Sequence, residues 1–402
     1  MTRLAFLLWP DTFEDWYDPL HVTRDDYLES YDREWSISLA RALVQAGIAV
    51  DLVHATLGAA AKATQLPSGA TVHFVPASRA YRVLRRITWG HAAWQRTQRL
   101  WVVAPLVSTA SPALLRTLRR IRTDAVIIQD YETLRFDVAA PLLSAMGSRV
   151  IGLDTGASAR PSGAPWKRFT RNRAQLLLAV NDREADRLRS AGHANVTAWP
   201  VPVRTDIFSP GDRAAARARL GIGNDERLVF AAARLHPVKN LPLLVDACRD
   251  ADARLVITGD GPERRRLEAM GSSHVTLPGW LDIEEVVEWY AAADVVALSS
   301  NQEGQPVAVL EAFACARGVV ATAVGGVPEV VRDGETGWLV PPRDRAALAA
   351  ALRSALADRE RADQFGAAGR DLVLRRHSAK AVADFIRAAA LQGVADGCSA
   401  SG

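Results

Sequence analysis

The stretch Ser299–Ala314 reads SSNQEGQPVAVLEAFA, and its pattern indicates a loop that leads into a ligand-binding helix. Pro306 suits the first position of a helix, because the missing N–H has no helical partner there anyway. Glu303 would then precede the first turn, and Glu311 would lie on a flank ~12 Å further along. The free N–H groups after Pro306, with the positive end of the helix dipole, would form a mouth that suits a phosphate.

Short apolar runs alternate with helical ones on both sides of this stretch. Runs such as Leu4–Leu8, Ala125–Gln129 and Leu228–Ala233 look like buried strands, and helical segments separate them. This alternation is typical of parallel α/β domains. The 402 residues exceed one ordinary core, so two domains are predicted. Prolines and glycines cluster from Pro200 to Gly211, which indicates a boundary near Arg204.

Composition describes a soluble globular protein, with 49% hydrophobic and 23% charged residues. No apolar run reaches the length of a membrane-spanning helix. The three cysteines, Cys248, Cys315 and Cys398, have no metal or redox spacing, so free thiols in a reducing cytoplasm are expected. No nucleic-acid motif accompanies the small net charge of +4, and no nucleic-acid partner is expected.

Six short motifs follow one another in the second half of the chain. They are Arg234-Leu235 with Lys239-Asn240, Gly259-Asp260-Gly261-Pro262, Gly279, Glu303-Gly304 with Glu311-Ala312-Phe313-Ala314, Gly325-Gly326-Val327-Pro328-Glu329, and Asp333-Gly334-Glu335-Thr336-Gly337 with Leu339-Val340. Each motif alone is weak, but the ordered set resembles glycosyltransferase family 4, the retaining nucleotide-sugar transferases. The resemblance covers 228–377 well and the first half only loosely.

The resemblance implies an α/β fold of the GT-B type, with two Rossmann-like doubly wound domains facing across a cleft. Residues 1–204 would form an acceptor-binding domain, and 205–377 would form the nucleotide-sugar-binding domain. Residues 378–402 would supply a closing helix, for which packing back on the first domain is one arrangement, and a flexible tail.

The resemblance also assigns chemical roles. Arg234 and Lys239 would stabilise the negative charge that grows on the leaving diphosphate. Glu303 would bind hydroxyls of the transferred sugar, and Glu311 would accept both ribose hydroxyls of the nucleotide. These cations and the helix mouth would replace a metal ion, so neither a metal nor another cofactor is expected. Taken without the family, Glu303 is equally a helix cap and Glu311 a solvated helix residue.

Further donor contacts are implied around these four residues. Gly304, Gln305, Pro306, Val307 and Ala308 would line the diphosphate. Gly259 would let the backbone approach the ligand, although an ordinary strand-to-helix turn is nearly as good an interpretation. Trp280, with Leu281 beside it, could stack on the nucleobase, and a core or surface tryptophan is the equal alternative. Asp250-Ala251-Asp252 has a metal-site spacing, and we interpret it as a solvated turn.

The acceptor side departs from the family pattern. Relatives carry a glycine-rich loop after the first strand, whereas the first glycine here is Gly47 and a long acidic, aromatic loop over 10–33 is predicted instead. Carboxylates with aromatic rings suit a polyhydroxylated or amine-bearing acceptor, and a solvated lid balanced by nearby arginines is the alternative. Relatives also carry a histidine where this chain has Asp154 and Thr155. The acceptor-binding candidates are Asp11, Glu14, Trp16, Asp130, Asp154 and Thr155.

A basic region complements the acidic one. Leu52–Thr123 contains no acid and eleven lysines and arginines. Its helical part, Arg79–Arg99, also carries tryptophans, so peripheral contact with anionic lipid is one hypothesis. A phosphorylated acceptor and a merely solvated basic helix are the others.

The predicted function is retaining transfer from a UDP- or GDP-type sugar to a small polar acceptor, such as an aminocyclitol or another natural-product precursor. The same chemistry on a membrane lipid or envelope glycan is an alternative. A nucleotide-sugar epimerase on this fold is another, and it would turn over the donor with no acceptor present. A non-catalytic binding subunit is disfavoured by the intact Arg234, Lys239, Glu303 and Glu311.

Overall fold

The computed structural model describes residues 2–8, 12–18, 22–29, 35–60, 62–88, 111–156, 165–270 and 273–392. The chain divides into two compact units. The first comprises Met1–Pro202 with Val382–Gly402, and the second comprises Val203–Ala381. Each unit is built on a parallel sheet with helices between successive strands.

The first unit contains eight strands and eight helices among its described residues, before the closing helix of the chain. The strands are β1 Arg3–Leu7, β2 Ala49–Thr56, β3 Thr64–Gln65, β4 Thr71–Pro76, β5 Ala125–Gln129, β6 Val150–Leu153, β7 Leu176–Ala179 and β8 Val196–Ala198. The helices are α1 Phe13–Tyr17, α2 Arg24–Glu29, α3 Trp35–Gln45, α4 Arg79–Thr88, α5 Pro112–Ile121, α6 Leu134–Ala145, α7 Pro165–Arg171 and α8 Asp182–Ser190.

The first sheet has the order β3-β4-β2-β1-β5-β6-β7-β8. Neighbouring strands pair in parallel except β3, which is antiparallel to β4. Both faces are covered, since Leu4 and Phe6 of β1 join one apolar core and Ala5 and Leu7 join another. The strand order reverses between β1 and β5, where ligands bind in sheets of this kind.

The expected loop over 10–33 is wrong in part, because this segment contains the helices α1 and α2. Asp15 caps α1 by accepting a hydrogen bond from the backbone N–H of Thr12 at 3.0 Å. Phe13 and Tyr17, one helical turn apart, are buried with Tyr27 of α2. The acidic composition suggested a solvated loop, whereas the spacing of the aromatic residues determines two short helices.

The second unit contains six strands, which are β9 Leu228–Ala232, β10 Arg254–Thr258, β11 Val275–Gly279, β12 Val295–Leu298, β13 Val319–Thr322 and β14 Gly337–Val340. Its helices are α9 Arg213–Leu220, α10 Leu241–Asp250, α11 Arg264–Ala269, α12 Ile283–Ala292, α13 Val307–Ala314, α14 Val327–Val330, α15 Arg345–Ala357 and α16 Arg359–Arg376. The last helix among the described residues is α17 Ala379–Gln392, and its Val382, Ala383, Ile386 and Ala390 belong to a core of the first unit.

The second sheet is parallel throughout, with the order β11-β10-β9-β12-β13-β14. Leu228 and Phe230 of β9 pack into one core, and Val229 and Ala231 pack into the core on the other face. The order reverses between β9 and β12. The loops that follow these two strands therefore leave the same edge of the sheet and diverge to opposite sides.

Two further predictions concern the whole chain. Cys248 and Cys315 are buried free thiols, and Cys398 lies outside the described residues. Within the described ranges, no helix combines the length and the apolar character that crossing a bilayer requires.

Candidate active site

The carboxyl edge of the second sheet brings three predicted site residues into one region. Arg234 and Lys239 follow β9, and Glu303 follows β12. The Lys239 Nζ lies 2.7 Å from Glu303 Oε1, and only 8% of the Glu303 side chain is exposed. The Ser300 hydroxyl donates a second hydrogen bond to the same oxygen at 2.5 Å. An ammonium and a carboxylate are thus held together at the point where the strand order reverses.

The loops after β9 and β12 are joined by backbone contacts as well. The Ser299 hydroxyl donates to the carbonyl of Lys239 at 2.9 Å, and the Asn301 N–H donates to the carbonyl of Val238 at 2.8 Å. These bonds cross between segments about 60 residues apart in sequence. The position of Lys239 relative to Glu303 therefore depends on the fold and not on the ion pair alone.

Arg234 is exposed, and its guanidinium has no hydrogen-bond or ion-pair partner among the described residues. The loop that carries Arg234 is held to the loop after β10, because the Leu235 N–H donates to the carbonyl of Asp260 at 2.9 Å. A Cβ on Gly259 would collide with the carbonyl of Ala233. Gly259 thus allows the backbones of two loops to approach each other.

The turn after β13 supports the Glu303 loop. Gly325 has a φ of 53°, and a Cβ there would overlap the carbonyl oxygen of Glu303. The Gly326 N–H donates to the carbonyl of Gly304 at 3.2 Å. Gly325 is therefore needed for a close approach of two backbones.

The helix mouth differs from the prediction in two respects. Helix α13 begins at Val307, and Pro306 precedes it with φ −85° and ψ 76°, so the placement of Pro306 in the first turn is wrong. The Val307 N–H is not free, since it donates to the carbonyl of Gln305 at 3.1 Å. The Pro306 carbonyl accepts from Val309 N–H at 2.9 Å, which makes proline the cap. The tight turn centred on Pro306 thus uses the Val307 N–H, which was expected to face a phosphate.

Glu311 lies on α13 in a half-buried position beside Tyr290 of α12. The Tyr290 hydroxyl is 3.0 Å from Glu311 Oε2 and 3.1 Å from the carbonyl of Ala308. Burial raises the pKa of Glu311 to about 7, and the hydrogen bond from Tyr290 acts in the opposite direction. The sequence reasoning missed Tyr290, because a buried aromatic residue on an amphipathic helix looks like ordinary core.

The predicted nucleobase platform is at the surface. Trp280 follows β11 directly and is 64% exposed, while the neighbouring Leu281 is partly buried against a core of the second unit. Strand β10 separates β11 from β9, so the strand that precedes Trp280 is about 10 Å from β9. The ring is exposed and therefore available for stacking.

No cluster of three or more histidine, cysteine or acidic side chains that could hold a metal occurs in the ranges that the structure describes. Asp250, at the metal-like spacing, is 2.6 Å from the Arg345 guanidinium at the end of α10. Asp252 has a φ of 51° in the turn that follows. This arrangement agrees with the interpretation of Asp250-Ala251-Asp252 as a solvated turn.

A second group of predicted residues meets at the carboxyl edge of the first sheet. Asp130 follows β5 and Asp154 follows β6, and both are buried. Asp130 Oδ1 accepts from the Thr155 hydroxyl at 2.8 Å and from its N–H at 3.1 Å. Burial raises the pKa of both carboxyls, that of Asp154 to about 7, against a hydrogen bond from the Gly156 N–H. Strand β5 borders the reversal of strand order, so the position suits a ligand.

Lys167 supports this edge and was not predicted. Its ammonium is buried, donates to the carbonyls of Glu132 at 2.7 Å and Thr133 at 3.2 Å, and lies 2.9 Å from Asp137. These carbonyls belong to the turn that follows Asp130. Lys167 comes from α7, more than 30 residues away, so no local pattern could have identified it.

Two carboxylates of the acidic segment after β1 are paired with arginines. Glu14 lies 2.7 Å from the Arg24 guanidinium and accepts a hydrogen bond from Leu57 N–H at 2.9 Å. Asp15 lies 2.7 Å from Arg85 of α4. These contacts favour the interpretation as a segment balanced by arginines. Trp16 is 37% exposed, and Asp11 lies outside the described residues.

The basic region is described only in part. Residues 79–88 form α4, whereas 89–110, with the remaining arginines and tryptophans of the predicted Arg79–Arg99 contact region, lie outside the described residues.

Comparison with known proteins decides the family. The profile described as "Glycosyl transferases group 1" matches residues 212–372, which include the whole candidate site of the second unit. A GDP-mannose-dependent alpha-(1-6)-phosphatidylinositol monomannoside mannosyltransferase of Mycolicibacterium smegmatis is 34% identical over 277 residues, which are 61% of this chain and 72% of that protein. The chain belongs to the group 1 glycosyltransferases. The prediction of a transferase enzyme is thereby confirmed.

Other relatives of this group 1 glycosyltransferase cover less of their own length. A D-inositol 3-phosphate glycosyltransferase of Geodermatophilus obscurus is 33% identical over 304 residues, 70% of this chain and 60% of that protein. A protein of the same description from a Mycobacterium species (strain KMS) is 38% identical over 42% of each chain.

Solved structures agree on the fold. A sucrose-phosphate synthase of Thermosynechococcus elongatus has a TM-score of 0.72 at 22% identity, and the match covers 96% of this chain and 98% of that one. Anabaena HepE in complex with UDP has a TM-score of 0.69 at 16% identity, with the same coverage. The predicted α/β fold with two Rossmann-like domains of the GT-B type is confirmed.

Proposed function

We propose that this group 1 glycosyltransferase is a retaining, family 4 enzyme that moves a sugar from a nucleoside diphosphate sugar to a hydroxyl of a small polar acceptor. One observation carries the proposal, namely the Lys239–Glu303 contact of 2.7 Å at the reversal of strand order. The exposed Arg234 guanidinium stands in the same loop as Lys239.

The bond that breaks joins the anomeric carbon to a phosphate oxygen. Negative charge then grows on the departing diphosphate, and Arg234 and Lys239 stabilise it. An ammonium has three N–H donors, so Lys239 can contact Glu303 and a phosphate oxygen together. Glu303 accepts hydrogen bonds from sugar hydroxyls. The acceptor hydroxyl attacks from the face that the diphosphate leaves, and its proton passes to the departing phosphate oxygen. These two cations supply the positive charge, so the proposal needs no metal ion.

In this proposal Glu311 binds the nucleotide part of the donor, because its carboxylate can accept hydrogen bonds from both hydroxyls of a ribose. Trp280, exposed at the same edge of the sheet, is the proposed stacking partner of the base. The mycobacterial relative is described as GDP-mannose-dependent, and HepE was solved with UDP. Guanine and uracil nucleotides are therefore both candidate donors.

The acceptor proposal is a polyol of the cyclitol type, an aminocyclitol included. The relatives' descriptions name inositol-containing acceptors. Asp130, Asp154 and Thr155 offer hydroxyl-binding groups at the carboxyl edge of the first sheet. We place the reaction in the cytoplasm because Cys248 and Cys315 are free thiols.

A lipid-linked acceptor is the second candidate. The mycobacterial relative is described as acting on a phosphatidylinositol monomannoside. Helix α7 exposes Trp166 by 54% and Phe169 by 55%, and Arg173 lies 4.5 Å over the Phe169 ring. Aromatic rings beside arginines suit a membrane interface. Transfer to acceptors in phosphatidylinositol-containing vesicles, with none to soluble inositols, would favour this candidate.

The test is a thermal-shift screen of UDP, GDP and their sugars, followed by transfer to inositol acceptors and NMR assignment of the product's anomeric configuration. Lys239→Met and Glu303→Gln should each lower turnover by at least ~100-fold, on the scale of a lost oxyanion donor worth ~3 kcal/mol. Lys62→Met and Glu335→Gln, at exposed positions, are the matched controls. Unchanged turnover in Lys239→Met or Glu303→Gln, or an inverted product, would contradict the proposal.

A further inference from the structure

Tyr290 contacts two parts of the candidate donor site, namely the Glu311 carboxylate and the first turn of α13. Its hydroxyl lies 3.0 Å from Glu311 Oε2 and 3.1 Å from the carbonyl of Ala308, in the first turn of α13. Its ring is fully buried, with Phe230 and Phe208 edge-on at 5.0 and 5.9 Å between centroids. The packed ring fixes the hydroxyl in place, so the hydroxyl defines where the Glu311 carboxylate can be.

Tyr290 is the side chain that hydrogen-bonds Glu311 in the part of the chain that the structure describes. No lysine, arginine or histidine forms an ion pair with Glu311 there. The next titratable residue in sequence is Cys315, directly after α13. Burial raises the pKa of its thiol to about 12, so the thiol stays neutral. The orientation of Glu311 thus depends on one hydrogen bond, which occupies Oε2 and leaves Oε1 for a ligand.

The phenol has one proton to donate and an oxygen that accepts. When Glu311 is ionised, the Tyr290 proton serves the carboxylate. When Glu311 is protonated, its own O–H can donate to the Tyr290 oxygen, and the Tyr290 proton can turn to the carbonyl of Ala308. The hydroxyl therefore adapts to both charge states, while it stabilises the ionised one that a ribose diol requires.

We propose that Tyr290 is a positioning residue that lets the enzyme select ribonucleoside over 2′-deoxyribonucleoside diphosphates. It holds the Glu311 carboxylate with one oxygen turned toward the ribose 2′- and 3′-hydroxyls, and it ties this carboxylate to the turn of α13 nearest the diphosphate. This inference rests on the proposed function, in which Glu311 binds the ribose.

The experiment measures Kd values by calorimetry for UDP, GDP, 2′-deoxy-UDP and 2′-deoxy-GDP at a series of pH values from pH 6 to pH 8.5. We expect the wild type to prefer the ribonucleotide of its own base by at least ~10-fold at pH 8.5, as one hydrogen bond to a charged acceptor allows. Tyr290→Phe should reduce this preference to less than ~3-fold. It should also move the pH midpoint of ribonucleotide binding upward, because the hydrogen bond that favours ionised Glu311 is gone.

Two controls separate positioning from general loosening of the core. Phe208→Leu disturbs the packing around the Tyr290 ring and keeps the hydroxyl, so the ribonucleotide preference and the pH midpoint should not change. Glu311→Gln should lose both the preference and the pH dependence that the carboxyl causes.

The outcomes are distinct. A preference and a pH midpoint that survive in Tyr290→Phe would overturn the inference and leave the proposed function standing. Binding of ribo- and deoxyribonucleotides with equal affinity by the wild type would overturn the role of Glu311 and the inference together. The absence of binding by either nucleoside diphosphate would refute the proposed function itself.

Discussion

Glu311→Gln should make the protein more stable at alkaline pH while it weakens nucleotide binding. The ordinary pKa of a glutamate is 4.5, and burial raises that of Glu311 to about 7. The folded state therefore binds the proton more tightly than the unfolded state does, so ionised Glu311 destabilises the fold above pH ~7. This cost fades as the pH falls from about 7 toward 4.5.

The difference between the two pKa values corresponds to at most ~3 kcal/mol, and the half-buried position makes ~2 kcal/mol a better expectation. Glutamine keeps the shape of the side chain and still accepts the hydrogen bond from Tyr290, so the substitution mainly removes the charge. We expect the free energy of unfolding to rise by ~2 kcal/mol at pH 8.5 and by less than ~1 kcal/mol at pH 5.

Urea unfolding at the two pH values, followed by tryptophan fluorescence, measures this difference, since Trp289 adjoins Tyr290 on α12. Glu335→Gln is the control, because 66% of that side chain is exposed and its stability should change little at either pH. An equal gain at both pH values, or a loss at pH 8.5, would refute the reasoning, because neither follows from a carboxyl with a raised pKa.

Three other substitutions test close contacts within the two units by urea unfolding. Gly325→Ala should cost ~2 kcal/mol or more and weaken nucleotide binding, because the added Cβ meets the Glu303 carbonyl. The control is Gly334→Ala, which also lies at positive φ but has open space around it; it should cost only about 1 kcal/mol and leave nucleotide binding unchanged. Arg217→Met should cost ~3–5 kcal/mol, because the Arg217 guanidinium lies 2.7 Å from the buried Asp294 carboxylate and compensates its charge. If the uncompensated charge is the cause, the double variant Arg217→Met with Asp294→Leu should lose less stability than Arg217→Met alone. Lys167→Met should cost ~2–4 kcal/mol, because the carbonyls of Glu132 and Thr133 lose their donor; a loss no larger than that of the exposed control Lys62→Met would contradict this role.

The arrangement of the second unit could be predicted from sequence because each of its signals is local. Residues such as Arg234 and Glu303 follow short apolar strands, and parallel strands bring their carboxyl ends to one edge. Loops that follow adjacent strands therefore start at the same edge, which makes a contact such as that of Lys239 with Glu303 possible. The error at Pro306 is also local, since a γ-like turn centred on Pro306 uses the N–H of Val307 and shifts the helix start by one residue.

Tyr290 and Lys167 could not be predicted for the opposite reason. Each contacts its partner across 21 or more residues, and each belongs to a segment whose local pattern is complete without it. A buried tyrosine satisfies the apolar face of α12, and a lysine on α7 looks like a solvated charge. Burial turns both into groups that must find hydrogen-bond partners, and burial is a property of the fold.

The acidic segment after β1 shows how pairing changes an inference from composition. Nine acids over 11–34 suggested a surface for an amine or polyol acceptor. Glu14 and Asp15 are instead matched by Arg24 and Arg85, and a carboxylate already in such a pair has less capacity for a ligand. The unpaired charge of the first unit is better sought at Asp154, where no cation lies within ion-pair distance among the described residues and burial keeps the pKa of the carboxyl near 7. Such a group can donate or accept a hydrogen bond around neutral pH, which suits an acceptor hydroxyl better than a phosphate. The search for the acceptor should therefore begin with uncharged polyols.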